Sequence, residues 1–150
     1  MKRRLKLKIK GVSPRSLFLA FVLAKFNCDV YIFDSLTSYE SNIADQIYSF
    51  SNFSKNLLTN FDIWNEFEDI SYGFNSFEFR DNTVNEKLLL RPEISKKFLN
   101  TFGWTARYSD IKSLLTNKLK SSDNVYFILK NQLVDESLIF DFEFYFKSYY

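Results

Sequence analysis

The residues best suited to chemistry in this sequence lie in the stretch GVSPRS, which begins at Gly11. A predicted strand leads into a predicted helix at this point, and glycine-rich turns in such places cradle the phosphates of dinucleotides. Ser13 and Ser16 could hydrogen-bond a phosphate, and Arg15 adds positive charge. Asp34 follows the next predicted strand, where a carboxylate could accept hydrogen bonds from a ribose. The stretch therefore predicts a cofactor site, a site that has lost its cofactor, or an ordinary turn.

Two residue types that carry much of enzyme chemistry are scarce in this chain. Histidine is absent, and Cys28 is the single cysteine. The chain therefore lacks the base of Ser-His-Asp and Cys-His hydrolases, and it cannot form an internal disulfide or a cysteine-rich zinc site. Glu66, Glu68 and Asp69 could be proposed as an acid/base pair, but adjoining carboxylates at a helix end are typical of a solvated face. We predict no catalytic residue and no metal ligand.

The composition predicts one folded domain that does not bind nucleic acid. The chain has 150 residues, of which 46% are hydrophobic and 19% aromatic, so it can bury a core. Its net charge of +2 makes no electrostatic case for a nucleic-acid partner. Lys6, Lys8 and Lys10 alternate with apolar residues, which indicates a strand with one face in water. No apolar run is long enough to span a bilayer, and we expect a cytoplasmic protein.

The apolar pattern predicts alternating strands and helices with a separate antiparallel piece in the middle. A strand at 4–10, a helix from the Ser13 cap to about Phe26 and a strand at 29–33 form one unit, whose two strands must be parallel. Asn27 is placed to end that helix. Further elements are predicted in this order: a helix at 43–58, a hairpin with strands at 70–79 and 86–90, a strand at 104–108, a helix from Ser109 or Asp110 to Lys120, a strand at 125–129 and a last strand within 137–146.

With these elements placed, the chain resembles the N-terminal part of the flavin-dependent aromatic-ring hydroxylases, and most closely their ubiquinone-biosynthesis branch. The family's Gly-x-Gly-Pro-x-Gly turn corresponds to Gly11, Ser13, Pro14 and Ser16, and its acidic residue corresponds to Asp34. The stretch SFSNFSKNLLTNFDIWNEFED is similar to the family's helix followed by LGLW. The stretch GWTARYSDIKSLLTNKLKSSDNVYF is similar to its successive strand, helix and NV-strand.

The resemblance implies an α/β fold, with a partial Rossmann-like parallel sheet of the FAD/NAD(P)-binding type, flanking helices and a small inserted antiparallel β piece. It implies a single domain over 1–150, in which 1–69 and 104–150 form the Rossmann-like part and 70–103 an inserted β-hairpin region. FAD is the cofactor it implies. The implied cofactor-binding residues are Gly11, Ser13, Arg15, Ser16, Asp34 and Arg107, the last of which is about one residue out of register with a family arginine.

Departures from the family pattern indicate that flavin binding is impaired. In the family's turn, the second glycine lets the backbone approach the pyrophosphate, and the third allows close packing of helix on strand. Ser13 and Ser16 place side chains at both positions. The lysines of the first strand also do not suit a strand covered on both faces. Lys147 and Ser148 stand about where the family has Asp-Gly, and its later Gly-Asp motif has no counterpart.

Three hypotheses about function follow from the resemblance and the departures. The first is a degenerate or truncated relative of FAD-dependent monooxygenases, without flavin catalysis on its own, that serves as a binding or assembly partner. The second is an FAD-binding aromatic-ring hydroxylase subunit completed by another chain or by oligomerisation. The third is an unrelated α/β binding or structural protein. The expected partners are further copies of this chain or a larger flavoprotein.

Overall fold

A computed structural model describes residues 3–26, 28–33, 46–84, 86–90, 101–128 and 138–146. Its elements in chain order are β1 (Lys6–Lys10), α1 (Pro14–Lys25), β2 (Asp29–Phe33), β3 (Ile47–Ser51), α2 (Asn52–Asn60), α3 (Trp64–Asp69), β4 (Ser71–Phe74), β5 (Phe77–Asp81), β6 (Glu86–Leu90), β7 (Gly103–Arg107), α4 (Tyr108–Lys120), β8 (Val125–Ile128) and β9 (Phe142–Tyr145). The chain divides into two compact units, Met1–Ala44 with Ser109–Tyr150, and Asp45–Tyr108. None of the described helices is long and apolar enough to cross a membrane.

The first unit is built on a four-stranded sheet in the order β8-β2-β1-β9, and all three strand pairs are parallel. α1 contacts β1 and β2, as expected for a crossover helix between parallel strands. These three elements contribute the following buried apolar residues to the core of the unit: Leu7, Ile9, Leu17, Ala20, Phe21, Val30 and Ile32. Together with the small antiparallel sheets of the second unit, this parallel sheet confirms the predicted α/β fold.

The alternation predicted for β1 is also confirmed. Leu7 and Ile9 are buried, whereas Lys6 and Lys8 are half-buried and Lys10 is exposed. The lysines therefore share a second face of the strand, on which their charged ends reach water.

Asn124 joins three segments of the first unit at the start of β8. Its side-chain Nδ2 donates to the carbonyl oxygens of Ala24 at 2.9 Å and Cys28 at 2.7 Å. The backbone carbonyl oxygen of Asn124 accepts a hydrogen bond from the backbone nitrogen of Val30 at 2.9 Å. This side chain thus holds the end of α1 to the start of β2. Asn27, the predicted helix terminator, lies outside the described residues.

The second unit contains a three-stranded antiparallel sheet in the order β3-β7-β4 and the two-stranded hairpin β5-β6. Trp64 of α3 packs edge-on against Trp104 of β7, with ring centroids 4.9 Å apart. The Nζ atom of Lys55 lies 4.9 Å from one ring centroid and 4.8 Å from the other. A cation over two tryptophan rings is attracted by both ring faces, which fixes α2 against the sheet.

The helix predicted over 43–58 is wrong over 47–51, and residues 43–45 lie outside the described residues. Residues Ile47–Ser51 form β3, and the helix begins only at Asn52, after Ser51, whose side chain accepts from the backbone nitrogen of Ser54. β7 lies alongside this segment and supplies its backbone hydrogen-bond partners, a long-range term that outweighs local propensity. The predicted hairpin is confirmed at β5 and β6, although the strand predicted over 70–79 is divided into β4 and β5.

Candidate dinucleotide site

Gly11 makes the turn that the sequence assigns to it. Its φ angle is +103°, in the left-handed region that favours glycine. Its backbone nitrogen donates to the carbonyl oxygen of Phe33, 2.9 Å away at the end of β2. A Cβ atom at this position would meet nothing within 4 Å, so the requirement for glycine comes from the backbone angle. The turn from β1 into α1 is therefore held against the neighbouring strand, as in a dinucleotide-binding unit.

Ser13 and Ser16 form a reciprocal capping box at the start of α1. The Ser13 Oγ accepts from the Ser16 backbone nitrogen at 3.3 Å, and the Ser16 Oγ accepts from the Ser13 backbone nitrogen at 2.7 Å. The Ser16 Oγ also donates to the Ser13 carbonyl oxygen at 2.8 Å, and the two hydroxyl oxygens lie 3.1 Å apart. Ser16 is completely buried, so this set of bonds satisfies a polar group that would otherwise be costly to bury.

The capping box uses two of the N–H donors that a helix N-terminus would offer to a phosphate. A phosphate at such a site accepts from backbone N–H groups of the turn and the first helical residues. Ser13 and Ser16 donate theirs to each other's hydroxyls, and Pro14 has no N–H to donate. Within the part of the chain that the structure describes, the N–H groups of Val12 and Arg15 have no protein acceptor. The residues present therefore do not fit a pyrophosphate in the way that a glycine-rich turn does.

Asp34 and Arg107 are the two remaining predicted site residues. Asp34 lies outside the described residues, so its predicted contact with a ribose stays a prediction. Arg107 ends β7 in the second unit, directly opposite Ile47 of β3, and its side chain is exposed. Arg15 is also exposed. Gly11, Ser13, Arg15 and Ser16 are thus together by sequence and by structure, whereas the cofactor roles of all six residues stay predictions.

The second face of the parallel sheet carries an ionic and aromatic cluster that sequence reasoning missed. The Lys8 Nζ lies 3.1 Å from a carboxylate oxygen of Glu143, which is on β9, two residues before the end of that strand. The same Nζ is 5.3 Å from the ring centroid of Phe33 and 5.1 Å from that of Phe140. Hydrogen bonds from Tyr145 and from Lys8 lower the pKa of Glu143. Lys8 is therefore stabilised on a half-open face, which explains why a parallel strand can carry it.

The second unit has an open cavity of about 320 Å³. It is lined by the side chains or backbone of Ser49, Phe50, Ser51, Phe74, Phe77 and Phe102. None of these described lining residues is charged, so they suit an apolar group. No group of acidic residues or cysteine that could hold a metal ion occurs among the described residues.

Comparison with known proteins gives matches at the level of three-dimensional structure. No protein-family model matches the sequence, and no curated protein matches it. The p-nitrophenol 4-monooxygenase PnpA from Pseudomonas putida DLL-E4 superposes with a TM-score of 0.67 and 13% identity, over 86% of this chain and 32% of that chain. PqsL from Pseudomonas aeruginosa, a probable FAD-dependent monooxygenase, gives 0.64 and 11% over 85% and 33%. The Diels-Alderase PyrE3 gives 0.63 and 17% over 87% and 26%.

These matches show the fold of this chain. It is the α/β fold of FAD-dependent monooxygenases, and the matched region is the N-terminal part of those chains. The chain spans about a third of the length of the monooxygenases it matches.

Proposed function

We propose that this chain is a degenerate relative of the FAD-dependent monooxygenases that carries out no flavin chemistry on its own and acts as a binding or assembly partner of another protein. The observation that supports the proposal is the capping box of Ser13 and Ser16. The turn keeps its glycine at a positive φ, but its own side chains take up two of the N–H groups that could bind a pyrophosphate, those of Ser13 and Ser16. Ser16, which is completely buried, also stands where the family's third glycine allows close packing of helix on strand.

The first experiment is the visible absorbance spectrum of the purified protein, followed by titration with FAD monitored by flavin fluorescence. We expect a colourless protein and no saturable binding through the micromolar range. A yellow protein, or saturable micromolar binding by the wild-type chain, would refute the proposal.

A pair of variants tests whether the serines are the cause. In S13G/S16G both family glycines are restored, and the N–H groups of residues 13 and 16 become available to a ligand. We expect weak FAD binding, or binding of inorganic pyrophosphate, to appear in this variant. The matched control is S51G/S54G, which removes the hydroxyl pair at the start of α2. Binding gained equally by both double variants would show that loosening of helix ends, and not the turn at Gly11, is responsible.

The second candidate function is an FAD-binding hydroxylase subunit completed by another chain or by oligomerisation. The observation that favours it is the intact turn, in which Gly11 keeps a φ of +103° and its bond to Phe33. Under this alternative, FAD binding appears when the protein concentration is raised or when a larger flavoprotein is added, and it is absent from the dilute chain. The assignment to the ubiquinone-biosynthesis branch and the cytoplasmic location belong to the same set of proposals, and the former is supported by the sequence segments quoted above.

A further inference from the structure

The hairpin β5-β6 presents an apolar face that the described chain does not cover. In its register Phe77 lies opposite Leu90 and Phe79 opposite Leu88, so these four side chains share one face. Their exposed fractions are 49%, 41%, 59% and 57%, respectively. A two-stranded hairpin is only marginally stable alone in water, and it is usually stabilised by pairing with additional strands.

The outer edge of β5 is open to such a strand. β6 pairs with one edge of β5, and no described strand pairs with the other. Unpaired edge strands of this kind are templates for pairing with a further chain unless a charge pattern opposes it. β5 carries three charged residues: Glu78 and Arg80 form an ion pair on the face opposite the phenylalanines, and Asp81 ends the strand. The hydrogen bond from Arg80 lowers the pKa of Glu78, so this carboxylate is ionised at neutral pH.

The sequence of β5, Phe77-Glu-Phe-Arg-Asp81, is complementary to itself in an antiparallel pair. A two-fold axis at Phe79 places Glu78 of each copy directly opposite Arg80 of the other. The same axis brings the two Phe79 rings side by side on the apolar face. The outermost pair would be Phe77 with Asp81, whose carboxylate is already bonded to the backbone nitrogen and hydroxyl of Thr83 at the hairpin turn.

The edge of β6 does not have this property. Centring a two-fold axis on Leu88 pairs Lys87 with Leu89 and Glu86 with Leu90, so no ion pair forms across the axis. Charge complementarity therefore favours one edge and one register.

We propose that two copies of this chain associate through the edges of β5, in antiparallel register about Phe79, to form a four-stranded sheet in the order β6-β5-β5-β6. Cross-strand packing of the phenylalanines and two symmetry-related pairs of Glu78 with Arg80 stabilise this interface. The inference goes beyond the proposed loss of flavin chemistry and does not depend on it, since it concerns a surface distinct from the turn at Gly11.

Charge reversal at the two residues tests the register. In Arg80→Glu each copy places glutamates opposite glutamates, and in Glu78→Arg it places arginines opposite arginines. We expect the dimer dissociation constant, measured by sedimentation equilibrium on the full chain, to rise at least about tenfold in either variant. An equimolar mixture of the two restores both ion pairs, so heterodimers form with close to wild-type affinity, and the double variant E78R/R80E dimerises like the wild type.

Lys120→Glu is the matched control, because it makes the same change of charge at an exposed position of α4, in the first unit and away from the hairpin. It leaves the dissociation constant within about twofold of wild type if the register is right. A wild-type chain that stays monomeric up to its solubility limit overturns the proposal, as does a dimer that both single reversals leave intact. Hydrogen exchange tests whether another segment of this chain covers the edge instead. In a monomer, slow exchange of the β5 amides that point away from β6 would show such a cover, and this result would also overturn the proposal.

Discussion

Replacing Ser16 with alanine removes three hydrogen bonds from the start of α1. The Ser16 hydroxyl accepts from the Ser13 backbone nitrogen at 2.7 Å, donates to the Ser13 carbonyl oxygen at 2.8 Å and lies 3.1 Å from the Ser13 hydroxyl. Alanine fits the buried site without a clash, so the perturbation is confined to these bonds. Ser13→Ala removes the complementary set: the acceptor of the Ser16 backbone nitrogen and the same contact between hydroxyls.

The expected magnitudes follow from burial and capping. Ser16 is fully buried, and its loss leaves the Ser13 N–H without its acceptor, which costs about 1–3 kcal/mol of unfolding free energy. Loss of the Ser13 cap costs about 1 kcal/mol. The two residues share one hydrogen bond between their hydroxyls, so the double variant S13A/S16A should lose roughly 0.5–1 kcal/mol less than the sum of the single variants.

These differences are measured by urea unfolding followed by far-ultraviolet circular dichroism. Tryptophan fluorescence would not report on α1, because both tryptophans belong to the second unit and α1 belongs to the first. The control S51A/S54A removes the exposed hydroxyl pair of α2, 3.4 Å apart, and should lose less than S13A/S16A. A Ser16→Ala variant as stable as the wild type would refute the structural reasoning. Additive losses for Ser13 and Ser16 would show that the capping box does not act as a unit.

Two further predictions concern residues outside the turn. Gly103→Ala should destabilise the protein by about 1–3 kcal/mol in the same urea assay, because a Cβ atom there would lie 2.6 Å from the Phe50 carbonyl oxygen and 2.8 Å from the Phe74 ring. An unchanged unfolding midpoint would mean that β3 and β4 can move away from β7 without cost in free energy. Cys28 should react with a thiol reagent far more slowly in the folded than in the urea-unfolded protein, because burial and then the charge of Asp29 raise the pKa of its thiol. Equal rates in the two states would contradict that burial.

The parallel core could be predicted from sequence because each of its signals is local. Lys6 to Lys10 alternate with period two, Ser13 and Pro14 mark a helix start, and Asp29–Phe33 is a short β-branched and aromatic run. A helix that connects two parallel strands of one sheet almost always makes a right-handed crossover. The order of these elements along the chain therefore predicts how they are connected in space. The match with monooxygenase structures over 86% of the chain is consistent with that inference.

The segment 47–51 could not be predicted because its structure depends on a distant strand. Tyr48 and Phe50 are spaced for a strand, but the same residues also fit the apolar pattern of the helix that follows. β7, more than fifty residues later in the chain, pairs with this segment and decides in favour of the strand. The ion pair of Lys8 with Glu143 was missed for the same reason, because it joins β1 to β9 through the order of the sheet.

The sequence by itself determined the turn at Gly11, the capped helix after it, the one-sided first strand and the absence of histidine chemistry, since each depends on residue type or on neighbours within a few positions. Only the tertiary structure decided what the two serines do. Their spacing allowed them either to meet a phosphate or to bond each other, and a sequence does not specify which acceptor a hydroxyl finds. Burial of Ser16 inside the first unit removes water as the alternative, so the hydroxyls bond within the turn and use the N–H groups that a dinucleotide would require.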